Sequence, residues 1–175
     1  PVLSDGPYWK SGDVFLSLWG PSMVILYRPS TNQIISTIKG QMVGQHDVDI
    51  LDDHRISIFN NNLNLFNNED VDDHNEILIY DFKTNSYSKY LNSALKENDV
   101  RTKSEGRSQI LENGDLFVEE QNSGRLLYFN KDSSLQWQFI NRAGNGNLYV
   151  VKWSRILYKK DDISKVKSLI IKDKL

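Results

Sequence analysis

The sequence predicts an all-β protein, and more specifically a β-propeller of about three four-stranded blades and part of a fourth. Two observations carry this prediction. Apolar and polar residues alternate over short runs, which is typical of half-buried strands. One pattern, an apolar run followed by a polar turn and an alternating run, recurs in MVILYRPSTNQIISTI (23–38), EILIYDFKTNSYSKYL (76–91) and RLLYFNKDSSLQWQFI (125–140), so that Tyr27, Tyr80 and Phe129 fall at the same place.

Each recurring hairpin is expected to follow another strand, and two of the units have one strand more. The preceding strands are predicted in GDVFLSL (12–18), HRISIF (54–59) and GDLFVEE (114–120). Additional first strands are predicted in HDVDILDD (46–53) and GRSQILENG (106–114). Asn, Asp and Gly at the turns between them tolerate the positive φ that tight hairpins require. The unit is therefore four short strands, as in a propeller blade, and a sandwich or meander of similar hairpins is the alternative.

These units divide the chain into a partial propeller over residues 1–160 and a tail or short helix over 161–175, where a helical period follows two aspartates. The blades are expected at approximately 1–40, 41–92 and 105–141, with a partial fourth over 147–159. A closed propeller needs about four or more blades, because closure protects the sheet edges. The chain is therefore expected to belong to a larger propeller or to cover its open edges, for example as a homodimer.

Composition and charge exclude several classes of partner and cofactor. The 175 residues are 39% hydrophobic and 25% charged, which suits one folded domain. A net charge of -2 and a pI near 5.9 give no electrostatic reason to expect nucleic acid or a membrane as partner. No cofactor is predicted, because the chain has no P-loop, dinucleotide-binding glycine pattern or zinc-ligand spacing. No metal is predicted either, since the acidic run NNEDVDDHNE (67–76) does not match a calcium-binding loop and reads as a solvated insertion.

Cysteine usage and the first residue bear on the compartment of the protein. The chain has no cysteine, so disulfides are excluded and the redox compartment is left open. It begins with proline rather than methionine, so we expect a mature form or a fragment, which leaves room for an export signal in the missing part.

His46 is the first candidate for a functional residue, because it begins one of the predicted first strands. The innermost strand of a propeller blade lines the central channel. The equivalent place in the next blade is Gly106 or Arg107, so an imidazole and a guanidinium are expected to face one another across a polar funnel that suits sulfate or carboxylate. Alternatively, His46 and Asp47 cap a turn and bond to the backbone.

Three stretches resemble consecutive blades of the bacterial arylsulfate sulfotransferase family. GQHDVDILDDHRISIFNNN (44–62) resembles the family's G-Q-H-D-x-x-x-L-x-N-G-x-I-x-x-F-D-N-G. DVFLSLWGPSMVILYRPSTNQIISTIKG (13–40) resembles the blade before it, and EGRSQILENGDLFVEEQNSGRLLYFNKDSSLQWQFIN (105–141) the blade after it. The resemblance implies a six-bladed propeller of which this chain covers the C-terminal half, so a missing N-terminal half is a second way to cover the open edges. It also implies an exported, periplasmic protein.

The resemblance further implies a chemistry and shows two departures from it. Family enzymes move a sulfuryl group from a phenolic sulfate ester to another phenol, through a sulfohistidine on the histidine of the Q-H-D stretch, and this role falls on His46. The family's channel arginine falls on Trp19, however, and its upstream H-x-N-S stretch lands on PVLSD (1–5), which contains neither histidine nor asparagine. An aromatic ring at Trp19 binds a sugar or phenol face, or else plugs the channel.

Two functions therefore compete at the level of sequence. In the first, the chain is a binding or interaction propeller with an eroded transfer site, and its ligand is a phenolic or sulfated small molecule. In the second, it is an active sulfotransferase with His46 as nucleophile. The sequence leaves open whether the protein is an enzyme, and it names four binding candidates beside His46: Trp19, Gln45, Asp47 and Arg107.

Overall fold

Antiparallel sheets follow one another along the chain, and the computed structural model describes residues 5–64, 69–70 and 74–172. Blade 1 contains β1 (Val14–Leu18), β2 (Met23–Arg28) and β3 (Gln33–Ile38). Blade 2 contains β4 (His46–Ile50) and β5 (Arg55–Asn60), then a small hairpin of β6 (Leu63–Asn64) and β7 (Glu69–Asp70), then β8 (Glu76–Asp81) and β9 (Ser86–Tyr90). Blade 3 contains β10 (Arg107–Ile110), β11 (Leu116–Glu120), β12 (Arg125–Phe129) and β13 (Leu135–Ile140).

The strand order confirms the predicted all-β fold, a partial β-propeller. Blades 2 and 3 are four-stranded, with orders β4-β5-β8-β9 and β10-β11-β12-β13, whereas blade 1 has three strands in the described part of the chain. The hairpin β6-β7 occupies the predicted insertion between the second and third strands of blade 2. Of the acidic run there, residues 67–68 and 71–73 lie outside the described residues, as do residues 1–4 of PVLSD.

The hairpin turns have the backbone conformation that their residue types predict. Asn32 and Asn85 have φ of 54° and 52°, and Gly114 has φ of 84°. These values lie in the left-handed region that asparagine and glycine enter at the lowest cost. The same turn therefore closes the outer hairpins of blades 1 and 2.

The strand registers align the blades residue by residue. Tyr27, Tyr80 and Phe129 pair across the sheet with Val14, Ile56 and Leu116, respectively. These pairs fix which other residues of the blades are equivalent, because side chains alternate between the two faces of a strand and every second residue lies on the same face. Positions in blade 1 can therefore be compared directly with those in blades 2 and 3.

The hydrophobic core lies between the blades and not within one sheet. One cluster joins blade 1 to blade 2 through Val24, Ile38, Ile56, Ile58 and Leu78. A second cluster joins blade 2 to blade 3 through residues that are all at most 1% exposed, namely Phe59, Ile77, Ala94, Leu95, Val100, Leu116, Val118, Leu127 and Phe129. Each sheet thus buries its apolar faces against its neighbours, as packed sheets do.

A short helix, α1 (Asn92–Glu97), was not anticipated from the sequence. It follows blade 2 and places Ala94 and Leu95 in the cluster between blades 2 and 3. Six residues are too few to show a helical period, so the tertiary contact that buries this turn is what makes it a helix.

The C-terminal region contains one helix and a segment without strand pairs. The tail forms helix α2 (Lys160–Lys172). Asp161 and Asp162 lie in its first turn, where negatively charged carboxylates interact favourably with the positive end of the helix dipole. Residues 147–159 were expected to begin a fourth blade, but they form no strand and make one isolated bridge, between Leu148 and Arg142. A strand requires a neighbour to accept its hydrogen bonds, and the described chain provides none at this place.

Gly106 supplies the first testable prediction, because a side chain cannot fit at its position. Its φ is +100°, and a Cβ would lie 2.5 Å from the Phe59 ring and 2.7 Å from Thr102 Cγ2. We expect Gly106→Ala to lower the free energy of unfolding by about 2–4 kcal/mol, measured by urea denaturation. Gly144→Ala is the matched control, since no atom lies within 4 Å of its Cβ. Equal stability of the two variants would contradict the packing described here.

Candidate functional site

His46 lies at the start of β4 beside an irregularity in the sheet. The register of β4 with β5 shifts between His46 and Val48, so Asp47 is an extra, bulged residue with φ of 41°. Bulges of this kind re-aim the side chains next to them. The pairing of His46 with Phe59 therefore matches that of Arg107 with Glu119, which makes Arg107 the structural equivalent of His46 in blade 3.

Both ring nitrogens of His46 are engaged, and their partners determine the tautomer. Asn61 donates through Nδ2 to the carbonyls of Thr102 (2.9 Å) and Glu105 (2.7 Å), so its Oδ1 must be the atom that faces His46. Because Oδ1 accepts only, His46 Nδ1, at 2.8 Å, carries the proton. His46 Nε2 then has the lone pair, and it accepts a long hydrogen bond of 3.3 Å from the Glu105 backbone N–H.

His46 opens on a cavity of about 350 Å³, called here the His46 cavity. The sequence WSRIL (153–157) is similar to RSQIL (107–111), so Trp153 is the counterpart by sequence of Arg107, which is itself the structural equivalent of His46. These three residues all line the cavity, together with Asp47, Glu105, Gly106, Gln121 and Lys152. The starts of two successive first strands and the unpaired segment around Trp153 therefore meet around one space, as in a propeller channel.

The charges that line the His46 cavity are arranged in pairs. Arg107 Nε lies 3.7 Å from Asp47 Oδ1, and Lys152 Nζ lies 2.8 Å from Glu105 Oε1. The guanidinium of Arg107 also stacks over the Trp153 ring, 4.9 Å from its centroid. Two cations and an exposed aromatic face are thus available to a ligand, but each cation already has a carboxylate partner.

Two further candidates, Trp19 and Gln45, occupy different environments. Trp19 follows β1 and is 42% exposed, with its ring centroid 6.4 Å from that of His46. Gln45 is fully buried, and its amide nitrogen donates to Ser17 Oγ, the Leu18 carbonyl and the Met23 carbonyl at 3.0–3.2 Å. Trp19 therefore stands beside the imidazole, whereas Gln45 ties the residue before His46 to blade 1 and does not line the cavity.

Asp47 and Asp49 carry the perturbed carboxyl groups of this region. Asp47 Oδ2 accepts the Ser108 backbone N–H at 2.9 Å, which joins β4 to β10, and burial raises the pKa of the Asp47 carboxyl. Burial and the nearby Asp47 raise the pKa of Asp49 to about 6. Asp49 lines a second cavity, of about 370 Å³, which shares Arg107 with the first.

Sequence reasoning missed Asn61, Glu105 and Lys152, whereas the sequence already offers Trp153 as a stacking surface for a ring-shaped ligand. Asn61 lies directly after β5 in the run Asn60-Asn61-Asn62, which aligns with the F-D-N-G end of the family stretch and was a usable signal. Lys152 was detectable only by aligning WSRIL with RSQIL, because no strand marks its segment.

A group with the composition of a metal site lies away from the His46 cavity. Asp52, Asp53 and His54 bring three ligand atoms within 4.8 Å of one another in the described structure. They form the turn after β4, at the opposite end of that strand from His46, and Asp52 Oδ1 accepts the backbone N–H of His54 and Arg55. Their contacts are those of a turn.

The raised pKa of Asp49 predicts a pH-dependent stability. A carboxyl whose folded-state pKa lies above its unfolded value stabilises the fold when protonated, and this contribution is lost as the pH rises through about 6. We expect Asp49→Asn to raise the free energy of unfolding at pH 7.5 by about 1–2 kcal/mol, with a gain that vanishes near pH 4. Urea denaturation across this range measures it, with the exposed Asp132→Asn as control. A gain that does not depend on pH would contradict the assignment.

Across the described part of the chain, no helix has the length and apolar character needed to cross a membrane.

Known proteins were searched for sequences similar to this chain. No curated protein matches the sequence. A family model described as arylsulfotransferase (ASST), however, matches residues 2–142 and so spans all three blades. The chain therefore belongs to the arylsulfotransferase family.

Proposed function

We propose that this propeller binds a small aromatic sulfate, or a closely related aromatic anion, in the His46 cavity. The observation that supports the proposal most is the meeting around one open space of His46 and Arg107, which occupy equivalent positions in two first strands, with Trp153, their counterpart by sequence in the unpaired segment that follows blade 3. A guanidinium suits the planar, multidentate hydrogen bonding of a sulfate group, and an indole face suits a phenyl ring.

The charge arrangement favours binding over rapid group transfer. Efficient transfer requires donors that stabilise the charge developing on the sulfuryl oxygens, and removing one such donor typically costs about 10²–10³ in rate. Here Asp47 and Glu105 already neutralise Arg107 and Lys152. Trp19, which stands at the family's arginine position, adds an aromatic surface beside His46 and no charge. The site therefore suits an interaction function with weak catalysis or none.

Sulfuryl transfer through His46 is the second candidate, and the tautomer of the ring favours it. Asn61 holds the proton on Nδ1, so Nε2 is the nucleophilic atom. In the proposed step, the Nε2 lone pair forms the bond to sulfur while the bond from sulfur to the phenolic oxygen breaks, and the phenolate leaves with that electron pair. The oxygen of a second phenol then forms the bond to sulfur while the Nε2–sulfur bond breaks and returns its electron pair to Nε2. The proton of that phenol passes to solvent, where the released phenolate can take one up, and neutral His46 is regenerated. Ligand entry must first displace the Glu105 N–H from Nε2.

Export is a further part of the proposal. Membership of a family with exported bacterial members supports a site of action outside the cytoplasm, and the lack of cysteine is compatible with any redox compartment. Fractionation of cells that express the complete gene tests this point.

The binding proposal predicts which side chains control affinity. A calorimetric titration of the protein with 4-nitrophenyl sulfate is expected to show saturable binding. Arg107→Ala is expected to weaken it about tenfold, since one charge-assisted hydrogen-bonding group is lost. Arg55→Ala removes a cation that pairs with Asp52 at the far end of the strand pair, and it serves as the control. Equal affinity of both variants and the parent, or no binding at all, would overturn the proposal.

The transfer candidate is separated from binding by the release of coloured nitrophenolate. If transfer occurs, adding a phenol acceptor accelerates release, His46→Ala abolishes it, and Asn61→Ala lowers the rate while leaving binding nearly unchanged, because Asn61 positions the ring without lining the cavity. Saturable binding without release from the parent protein would reject transfer and leave the binding function standing.

A further inference from the structure

Two polar residues of blade 2, His46 and Asp49, lie on the same face of β4. Because Asp47 is a bulge, His46 pairs with Phe59 and Asp49 pairs with Ser57, two pairing positions further along. Side chains at this separation share one face of a strand and lie about 7 Å apart along it. His46 lines one cavity and Asp49 lines the other, so the two cavities follow one another along β4.

Blade 3 and the segment after it repeat this arrangement. On β10, Gln109 lies two pairing positions from Arg107, so Gln109 is the blade 3 equivalent of Asp49. Arg155 is the third residue of WSRIL, as Gln109 is the third residue of RSQIL, which makes Arg155 its counterpart by sequence. Asp49, Gln109 and Arg155, called here the second tier, all line the cavity of about 370 Å³, called here the Asp49 cavity.

The side chains of the second tier keep hydrogen-bonding groups that no described residue uses. No described residue bonds to the Asp49 carboxylate or to the side-chain amide of Gln109. Arg155 donates one hydrogen bond, to the Ser154 carbonyl at 3.1 Å, and no described carboxylate lies within 4 Å of its guanidinium. Both cations of the His46 cavity, by contrast, have carboxylate partners. An acceptor and several donors are therefore available to a ligand in the Asp49 cavity.

The charges of the Asp49 cavity favour a neutral hydroxyl group over an ion. Burial and the nearby Asp47 raise the pKa of Asp49 to about 6, so this carboxyl is mostly ionised at pH 7.5. Arg107 and Arg155 line the same cavity, so an ion of either sign meets a like charge there. A hydroxyl group carries no charge and both donates and accepts hydrogen bonds, which matches a carboxylate beside a guanidinium and an amide. The Phe117 ring adds apolar surface for the carbon skeleton of the ligand.

We infer that the ligand carries a hydroxyl group at the end opposite its sulfate, and that the second tier binds this hydroxyl. The hydroxyl donates its hydrogen to the Asp49 carboxylate and accepts a hydrogen bond from Gln109 or Arg155, while the sulfate lies in the His46 cavity beside Arg107. A sulfate and a hydroxyl at para positions of one phenyl ring match a spacing of about 7 Å between the tiers. The inference rests on the proposed binding of an aromatic sulfate, and it narrows that ligand to the hydroxyaryl sulfates.

The first test compares two ligands that differ by one hydroxyl group. Calorimetric titration at pH 7.5 is expected to show that 4-hydroxyphenyl sulfate binds about tenfold more tightly than phenyl sulfate, because one hydrogen bond to a charged group is added. Asp49→Ala is expected to abolish this ratio of affinities, whereas the exposed Asp132→Ala, as matched control, keeps it. Asp49→Ala removes no hydrogen bond to a described residue, and circular dichroism checks that the variant is folded.

The outcomes of this comparison separate the inference from the proposed function. If phenyl sulfate binds and the hydroxyl group adds nothing, the inference is overturned and the binding function stands. A ratio that survives in Asp49→Ala also overturns the inference. If neither compound binds, the proposed function and the inference are both rejected.

The second test fixes the orientation of the ligand. Arg107→Ala is expected to weaken the binding of both compounds, because Arg107 lies on the sulfate side. Gln109→Ala combined with Arg155→Ala is expected to leave the affinity for phenyl sulfate nearly unchanged and to lower the affinity for 4-hydroxyphenyl sulfate. If this double variant instead weakens phenyl sulfate as much as Arg107→Ala does, the sulfate occupies the Asp49 cavity, and the second tier is not a hydroxyl site.

Discussion

Burial of each sheet against the next sheet is the constraint on which the rest of this structure depends. None of the blades has a core of its own, since the apolar clusters consist of residues from two neighbouring blades. Burying such side chains contributes roughly 25 cal/mol for each Å² of apolar surface removed from water, so an uncovered blade face forfeits a large part of its stabilisation. The same constraint explains why α1 is helical and why the end blades expose aromatic and aliphatic side chains.

The site follows from this radial packing. Blades 2 and 3 present the starts of their first strands, β4 and β10, toward the same side, so that His46 and Arg107, which are 61 positions apart in sequence (107 minus 46), line one cavity. Hydrogen bonds between blades fix the details. Asp47 and Asn61 of blade 2 bond to the backbone that leads into and begins blade 3, and Asn61 also bonds to His46 Nδ1 and so sets the orientation of the imidazole. The parts that hold the propeller together and the parts that shape the site are therefore the same residues.

The electrostatics of the cavity separate what the family fold provides from what this chain does with it. A sulfate-binding channel profits from uncompensated cations in a space with little water. In this chain, each cation of the cavity has a carboxylate within 4 Å, and the indole ring of Trp19 stands beside His46. An incoming anion must compete with Asp47 and Glu105. This competition affects transition-state stabilisation more than ground-state binding, because developing charge requires donors that are already free and oriented.

The sequence by itself determined the strands, the turns, the blade repeat and the position of His46, because these depend on local alternation and on residues such as Asn32 and Gly114 that permit positive φ. Only the tertiary structure decided which residues meet. It made Arg107, and not Gly106, the equivalent of His46 through a one-residue bulge, buried Gln45, and brought Lys152 and Trp153 into the cavity. It also left residues 147–159 without strand pairs, because a strand is defined by a partner that no local pattern contains.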